Sequence, residues 1–134
     1  MTNKVKLINM KKINVAVAGL GRIGKIHLKN LCRNFPEIKV VAVMDVFDES
    51  QIIADEFNVQ VFLKDFDELL AVEGVDSVVI CSTTDTHADY VVKAAKAGKQ
   101  IFCEKPLDLS LDRVKEVLAI VDEYGVKLML GFNR

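Results

Sequence analysis

The sequence lacks an excess of charge of either sign, an apolar run long enough to cross a bilayer, and any low-complexity linker. Its 18 basic and 19 acidic residues are dispersed and sum to −1. That leaves no electrostatic footprint for nucleic acid or an anionic membrane, so a small-molecule partner is expected. Cysteine occurs three times, at Cys32, Cys81 and Cys103, an odd number without metal-ligand spacing. Among apolar neighbours they read as small buried thiols in a reducing cytosol, with no metal site. The opening MTNKVKLINMKK alternates polar and apolar residues where a signal peptide would carry an apolar core, so a cytoplasmic chain is expected. Proline occurs only twice, at Pro36 and Pro106, and both positions carry information.

What is present is one domain's worth of chain, 134 residues of which 51% are hydrophobic and 28% charged, enough to bury a core. Strand and helix signals alternate along it. KINVAVAG is a β-rich apolar run, and RIGKIHLKNLCRNF has apolar residues near helical spacing until Pro36 stops it. KVVAVMD reads as a second strand, Glu49 to Phe57 as a second helix, VQVF as a third strand and DFDELLA as a short helix. VDSVVICS is a fourth strand, followed by a helix from Thr86 that Gly98 terminates; QIFCE is the fifth. Ser110 caps a helix over LDRVKEVLAIVDEY, Gly125 ends it, and VKLMLG is the sixth strand. Nearly continuous apolar strands separated by helices are buried on both faces. The expected fold is therefore α/β, a doubly wound parallel sheet of about six strands spanning residues 10–134, with residues 1–9 as a mobile extension.

The first strand-to-helix turn carries Gly19, Gly21 and Gly24 in the spacing G-x-G-x-x-G, directly after a strand and at the opening of a helix. In a dinucleotide site the first glycine makes the tight turn, the second lets backbone approach pyrophosphate, and the third lets helix and strand pack closely. The phosphates would meet N–H groups at the helix N-terminus, those of Arg22 and Ile23. Asp45, at the end of the second strand and 21 residues beyond Gly24, is placed to accept hydrogen bonds from an adenosine ribose diol. Its carboxylate also bears on the choice of cofactor. A 2′-phosphate about 4 Å away would be repelled by roughly 1–4 kcal/mol, and Val46, Phe47, Asp48 and Glu49 offer no compensating cation. NAD is expected over NADP.

In such a sheet ligands bind outside the carboxyl ends of the strands, which places CSTTDTH and CEKP at the nicotinamide end. Glu104, Lys105 and Pro106 then lie where substrate meets the cofactor. Lys105 is the candidate catalytic residue, able to hold or polarise a substrate oxygen, while Pro106 restrains the turn, through a cis bond if one forms. A structural alternative is an ion pair of Lys105 with Glu104 or another carboxylate. His27 reads as a packed helix residue, and His87 is divided between capping or loop packing and cofactor contact. Asp65, Asp67 and Glu68 read as a solvated helix start.

GLGRIGKIH, the aspartate of VVAVMD, STTDTHADY, and EKPL followed by a helix and GFNR together resemble the N-terminal half of the Gfo/Idh/MocA oxidoreductases, most closely the inositol 2-dehydrogenases. The resemblance covers about Met10 to Arg134. It implies that Lys105 contacts substrate during hydride transfer at a sugar or cyclitol carbon, that Gly19, Gly21, Gly24 and Asp45 hold NAD, and that Ser82, Thr83 and His87 lie near the cofactor. It further implies a homo-oligomeric enzyme whose second domain supplies most substrate contacts and the groups that handle the alcohol proton. That domain is not in this chain, which is expected to be an isolated domain or a truncated product that binds NAD without turnover. A non-catalytic NAD sensor is the competing reading. A methyltransferase would carry an acid just before its glycines, where this sequence has Ala16, Val17 and Ala18.

Overall fold

The computed structural model describes residues 11–133. Six strands form one wholly parallel sheet: β1 (Ile13–Ala18), β2 (Ile38–Met44), β3 (Phe62–Leu63), β4 (Ser77–Ile80), β5 (Gln100–Glu104) and β6 (Leu128–Gly131). Their spatial order is β3-β2-β1-β4-β5-β6, and the direction of winding reverses between β1 and β4. The helices are α1 (Arg22–Asn34), α2 (Gln51–Glu56), α3 (Phe66–Leu70), α4 (Thr84–Lys96) and α5 (Leu111–Tyr124). This is the doubly wound order of a Rossmann fold, as expected.

Alternation along each strand divides the core into two layers. Ala16 and Ala18 of β1, Val78 and Ile80 of β4, and Ile101 and Cys103 of β5 face one side, where Phe66, Val91, Ala95, Val117 and Val121 of α3, α4 and α5 cover them. Val15, Val17, Val79 and Phe102 face the other, beneath Leu28 of α1 and Ala54 of α2. A period of two in side-chain direction thus accounts for strands that are apolar without interruption.

Local stop and start chemistry mostly follows the sequence. Asp65 and Ser110 accept from the backbone N–H of Glu68 and Arg113, three residues on, while Gly98 and Gly125 take the left-handed conformation just past α4 and α5. Three expectations shift. The strand placed over VQVF, residues 59–62, shifts to Phe62–Leu63: Val59 N–H still bonds to the Ala54 carbonyl at 2.9 Å, and contact with β2 begins only at Val61, whose carbonyl accepts from Val43 N–H at 2.9 Å. The second helix begins as one 3₁₀ turn, Asp48–Ser50, before α2. Helix α4 starts at Thr84 instead of Thr86, since extended Thr83 already serves as its N-cap. The extension assigned to residues 1–9 lies outside the described residues.

Candidate functional site

The carboxyl ends of β1, β2, β4, β5 and β6 all open on one edge of the sheet, and the residues singled out for cofactor and chemistry collect there. The three glycines occupy this edge for three different steric reasons. Gly19 has φ +94°, and a Cβ on it would lie 2.5 Å from Ser82 N and 2.6 Å from the Cys81 carbonyl carbon, so the turn is pressed onto the end of β4. Gly24 presses α1 back onto the turn, where a Cβ would lie 1.9 Å from the Gly19 carbonyl oxygen. Gly21 is the reverse case: no protein atom lies within 4 Å of its Cβ position. It is also the N-cap of α1, without a side-chain cap and with no acid in the first turn. The first N–H groups of a helix have no intrahelical acceptors. Those of Arg22 and Ile23 therefore face the open space that Gly21 leaves clear.

Asp45 stands at the other end of this turn. Only 8% exposed, it accepts from Leu20 N–H at 2.8 Å through Oδ2 and from Phe47 N–H at 3.4 Å through Oδ1. It thus braces the glycine turn against the end of β2, and a carboxylate with two such bonds retains acceptor sites for a ligand. One cation near this acid was not visible along the chain. Lys64, just past β3, forms an ion pair with Asp48, so the only positive charge that β3 brings here is already matched.

On the far side of α1, Arg22, Ile23, Ser82, Glu104, Lys105 and Asn133 line an open cleft of about 400 Å³. Lys105 is exposed and forms no ion pair among the described residues, which removes the Lys105–Glu104 alternative. Glu104 is instead bonded to His27 Nε2 at 2.7 Å, across 77 positions of sequence. His27 is half-buried, packs edge-on against Phe102 with centroids 5.1 Å apart, and is, as expected, a packed helix residue. The Lys105–Pro106 bond is cis. His87 is 2% exposed, with Nδ1 2.7 Å from the Pro106 carbonyl and Nε2 2.8 Å from the Ser82 carbonyl. Its ring packs the loop, one of the two roles weighed for it, and the residue also lines the cleft. Ser82 Oγ and Thr86 Oγ1 share a hydrogen bond at 2.7 Å, and Thr83 sits exposed at the mouth of the loop. Thr84, His87 and Gly131 also line the cleft; Gly131 and Asn133 belong to GFNR, whose position at the end of β6 was the available signal.

A family model described as an oxidoreductase family with an NAD-binding Rossmann fold, Gfo/Idh/MocA, matches residues 13–132. The chain belongs to that family. It is 43% identical over 123 residues to an inositol 2-dehydrogenase of Rhizobium meliloti (strain 1021), covering 91% of this chain and 36% of that protein. It is 42% identical over 124 residues to a scyllo-inositol 2-dehydrogenase (NAD(+)) of Bacillus subtilis (strain 168), with 92% and 36% covered. Among solved structures, scyllo-inositol dehydrogenase from Lactobacillus casei, with bound NAD(H) and scyllo-inositol, superposes with a TM-score of 0.86 at 29% identity, over 90% of this chain and 36% of that one. The chain therefore spans little more than a third of the length of the Gfo/Idh/MocA relatives it matches.

The thiols of this Gfo/Idh/MocA domain take no part in the cleft's chemistry. Burial, reinforced by the Glu104 charge, pushes Cys81 and Cys103 up to about 12, so both stay protonated at neutral pH. The described residues contain no group of His, Cys, Asp and Glu side chains able to hold a metal ion. Cys32, against the expectation that all three thiols are buried, is exposed, so iodoacetamide at pH 8 is expected to alkylate the native chain there alone and all three thiols after denaturation. Mass spectrometry of the peptides reads this directly, and native labelling of Cys81 or Cys103 would contradict the burial.

Proposed function

We propose that this chain is the cofactor-holding part of an NAD-dependent dehydrogenase acting on inositol or a related polyol, and that the 134 residues alone bind NAD without turnover. The observation that carries this reading is the juxtaposition of an exposed Lys105, without an ion pair among the described residues, with the uncapped first turn of α1 at one cleft. The residues fit the dinucleotide. Open space at Gly21 admits pyrophosphate to the N–H groups of Arg22 and Ile23, and Asp45 faces the adenosine ribose. The loop of Ser82 and Thr83 and the turn Glu104, Lys105 and Pro106 flank the nicotinamide end. When bound, NAD supplies the acceptor for hydride. Lys105 holds the substrate oxygen by a charge-assisted hydrogen bond and stabilises the negative charge that builds on it as its proton passes to the proton-handling groups of the second domain that the resemblance implies. A non-catalytic sensor has no use for that lysine. The relatives named above support inositol as substrate class, and the net charge of −1 supports a small-molecule partner over nucleic acid or membrane. No described helix is long and apolar enough to cross a membrane. A homo-oligomeric cytoplasmic enzyme belongs to the same reading.

The test is a titration of the purified chain with NADH and NADPH, alongside an assay of inositol oxidation at 340 nm by the complete polypeptide. NADH is expected to bind at least tenfold tighter, about 1.4 kcal/mol. Asp45→Asn keeps an oxygen for Leu20 N–H but removes the charge, and should narrow the gap to about threefold, roughly 0.7 kcal/mol. Equal affinities in the unaltered chain, or complete polypeptide that leaves inositol and related polyols unoxidised, would overturn the proposal.

A further inference from the structure

The turn that carries Lys105 is held from both faces of the sheet. On one face, α1 sends His27 to the carboxylate of Glu104, the residue before the lysine, at 2.7 Å. That carboxylate is confined further by β6, since a Cβ on Gly131 would lie 3.0 Å from Glu104 Oε1. On the other face, α4 sends buried His87 to the carbonyl of Pro106, the residue after the lysine, at 2.7 Å. The second nitrogen of His87 lies 2.8 Å from the Ser82 carbonyl and so joins the Lys105 turn to the loop after β4. Lys105 itself is exposed and has no ion pair among the described residues. A lysine side chain has four rotatable carbons and about 2 kcal/mol of rotamer entropy, so its placement depends on the backbone that bears it.

We infer that His27 and His87 are paired positioning residues, which fix the backbone on either side of Lys105 so that its ammonium meets the substrate oxygen in register with the cofactor. The inference rests on the reading of Lys105 given above. His27 is not part of the cleft lining, and His87, which is, stays 2% exposed. His27 stands behind Glu104; both nitrogens of His87 lie within 2.8 Å of backbone carbonyls inside the protein, and a neutral imidazole donates to one of the two. The arrangement ties the lysine to the two elements that border the cofactor cleft, α1 through His27 and the Ser82 loop through His87.

The test measures kcat, KM for inositol and the dissociation constant of NADH in the complete polypeptide, for His27→Phe, His87→Phe, Lys105→Met and each histidine change combined with Lys105→Met. Phenylalanine keeps the ring volume and removes the hydrogen bonds. Each histidine change is expected to lower kcat on the order of 100-fold, the cost of displacing a catalytic group by about an ångström, with KM and NADH affinity within about threefold of their original values. On the Lys105→Met background the same changes should cost less than about threefold, because there is no ammonium left to misplace. His87→Gln, which can still donate to the Pro106 carbonyl, should recover part of the rate lost in His87→Phe. Half-exposed His27 tolerates its change even if buried His87 does not, so His27→Phe decides the matter in either case. Near-normal kcat in His27→Phe, or losses that persist undiminished without Lys105, would overturn the positioning role and leave Lys105 as the substrate-binding lysine. Normal turnover in Lys105→Met would overturn both.

Discussion

Lys105→Met in the complete polypeptide is expected to lower inositol oxidation roughly 100- to 1,000-fold, the usual cost of removing one donor to a developing oxyanion. Folding and NADH affinity should be almost unchanged. The structure sharpens this expectation by removing its main competitor. Had Lys105 been half of a buried pair with Glu104, its loss would strand a carboxylate and cost about 3–5 kcal/mol of stability. Glu104 is instead satisfied by His27, and the lysine stands in solvent at the rim of the cleft. Methionine preserves most of the side-chain length and removes only the charge and its donors. Thermal unfolding, NADH titration and steady-state rates on one preparation separate the outcomes. A melting temperature lowered by many degrees with turnover intact would reject the role assigned to Lys105.

The second large effect lies in the glycine turn, where three residues of one motif should fail in two different ways. Gly24→Ala drives a methyl group to within 1.9 Å of the Gly19 carbonyl oxygen, and Gly19→Ala meets backbone at 2.5 Å in a left-handed conformation at φ +94°. In both cases the obstacle is main chain, which cannot swing aside like a flexible side chain. Each change should cost about 3 kcal/mol or more of stability, from overpacking in the first and from overpacking plus backbone strain in the second. Gly21→Val meets no protein atom within 4 Å, at φ −70°, a conformation open to any residue. The fold should survive it, while the valine side chain fills the space reserved for pyrophosphate and NADH affinity falls by at least about 100-fold, or roughly 2.7 kcal/mol. Denaturant unfolding and NADH titration of the three variants check the division. A folded Gly21→Val protein with unchanged affinity would place the phosphates elsewhere.

Much of this molecule was legible along the chain because its signals are local. Strand, helix and cap positions follow from apolar runs, from Ser110 as an N-cap, and from Gly98 and Gly125 at helix ends, while the capping role of Asp65, read only as part of a solvated helix start, came from the structure. The spacing of Gly19, Gly21 and Gly24 after β1, with Asp45 ending β2, announced a dinucleotide turn, and EKP after β5 marked the opposite end of the cleft. These patterns also determined the doubly wound fold, since parallel strands with right-handed crossovers leave few other arrangements. Partnerships of individual side chains were decided by tertiary structure alone. Glu104 pairs with a histidine 77 residues away because the strand order carries β5 past β4 to a place facing α1. His87 could be a cap, a cofactor contact or a packing residue from its position at the start of α4; only the approach of the Pro106 carbonyl to one nitrogen and the Ser82 carbonyl to the other shows its packing role. Lys64 reaches Asp48 because β3 docks beside β2. The physical reason is common to all of them. Propensity and capping act over a few residues and can be read from spacing, whereas a buried polar group takes whichever partner the assembled sheet brings within about 3 Å.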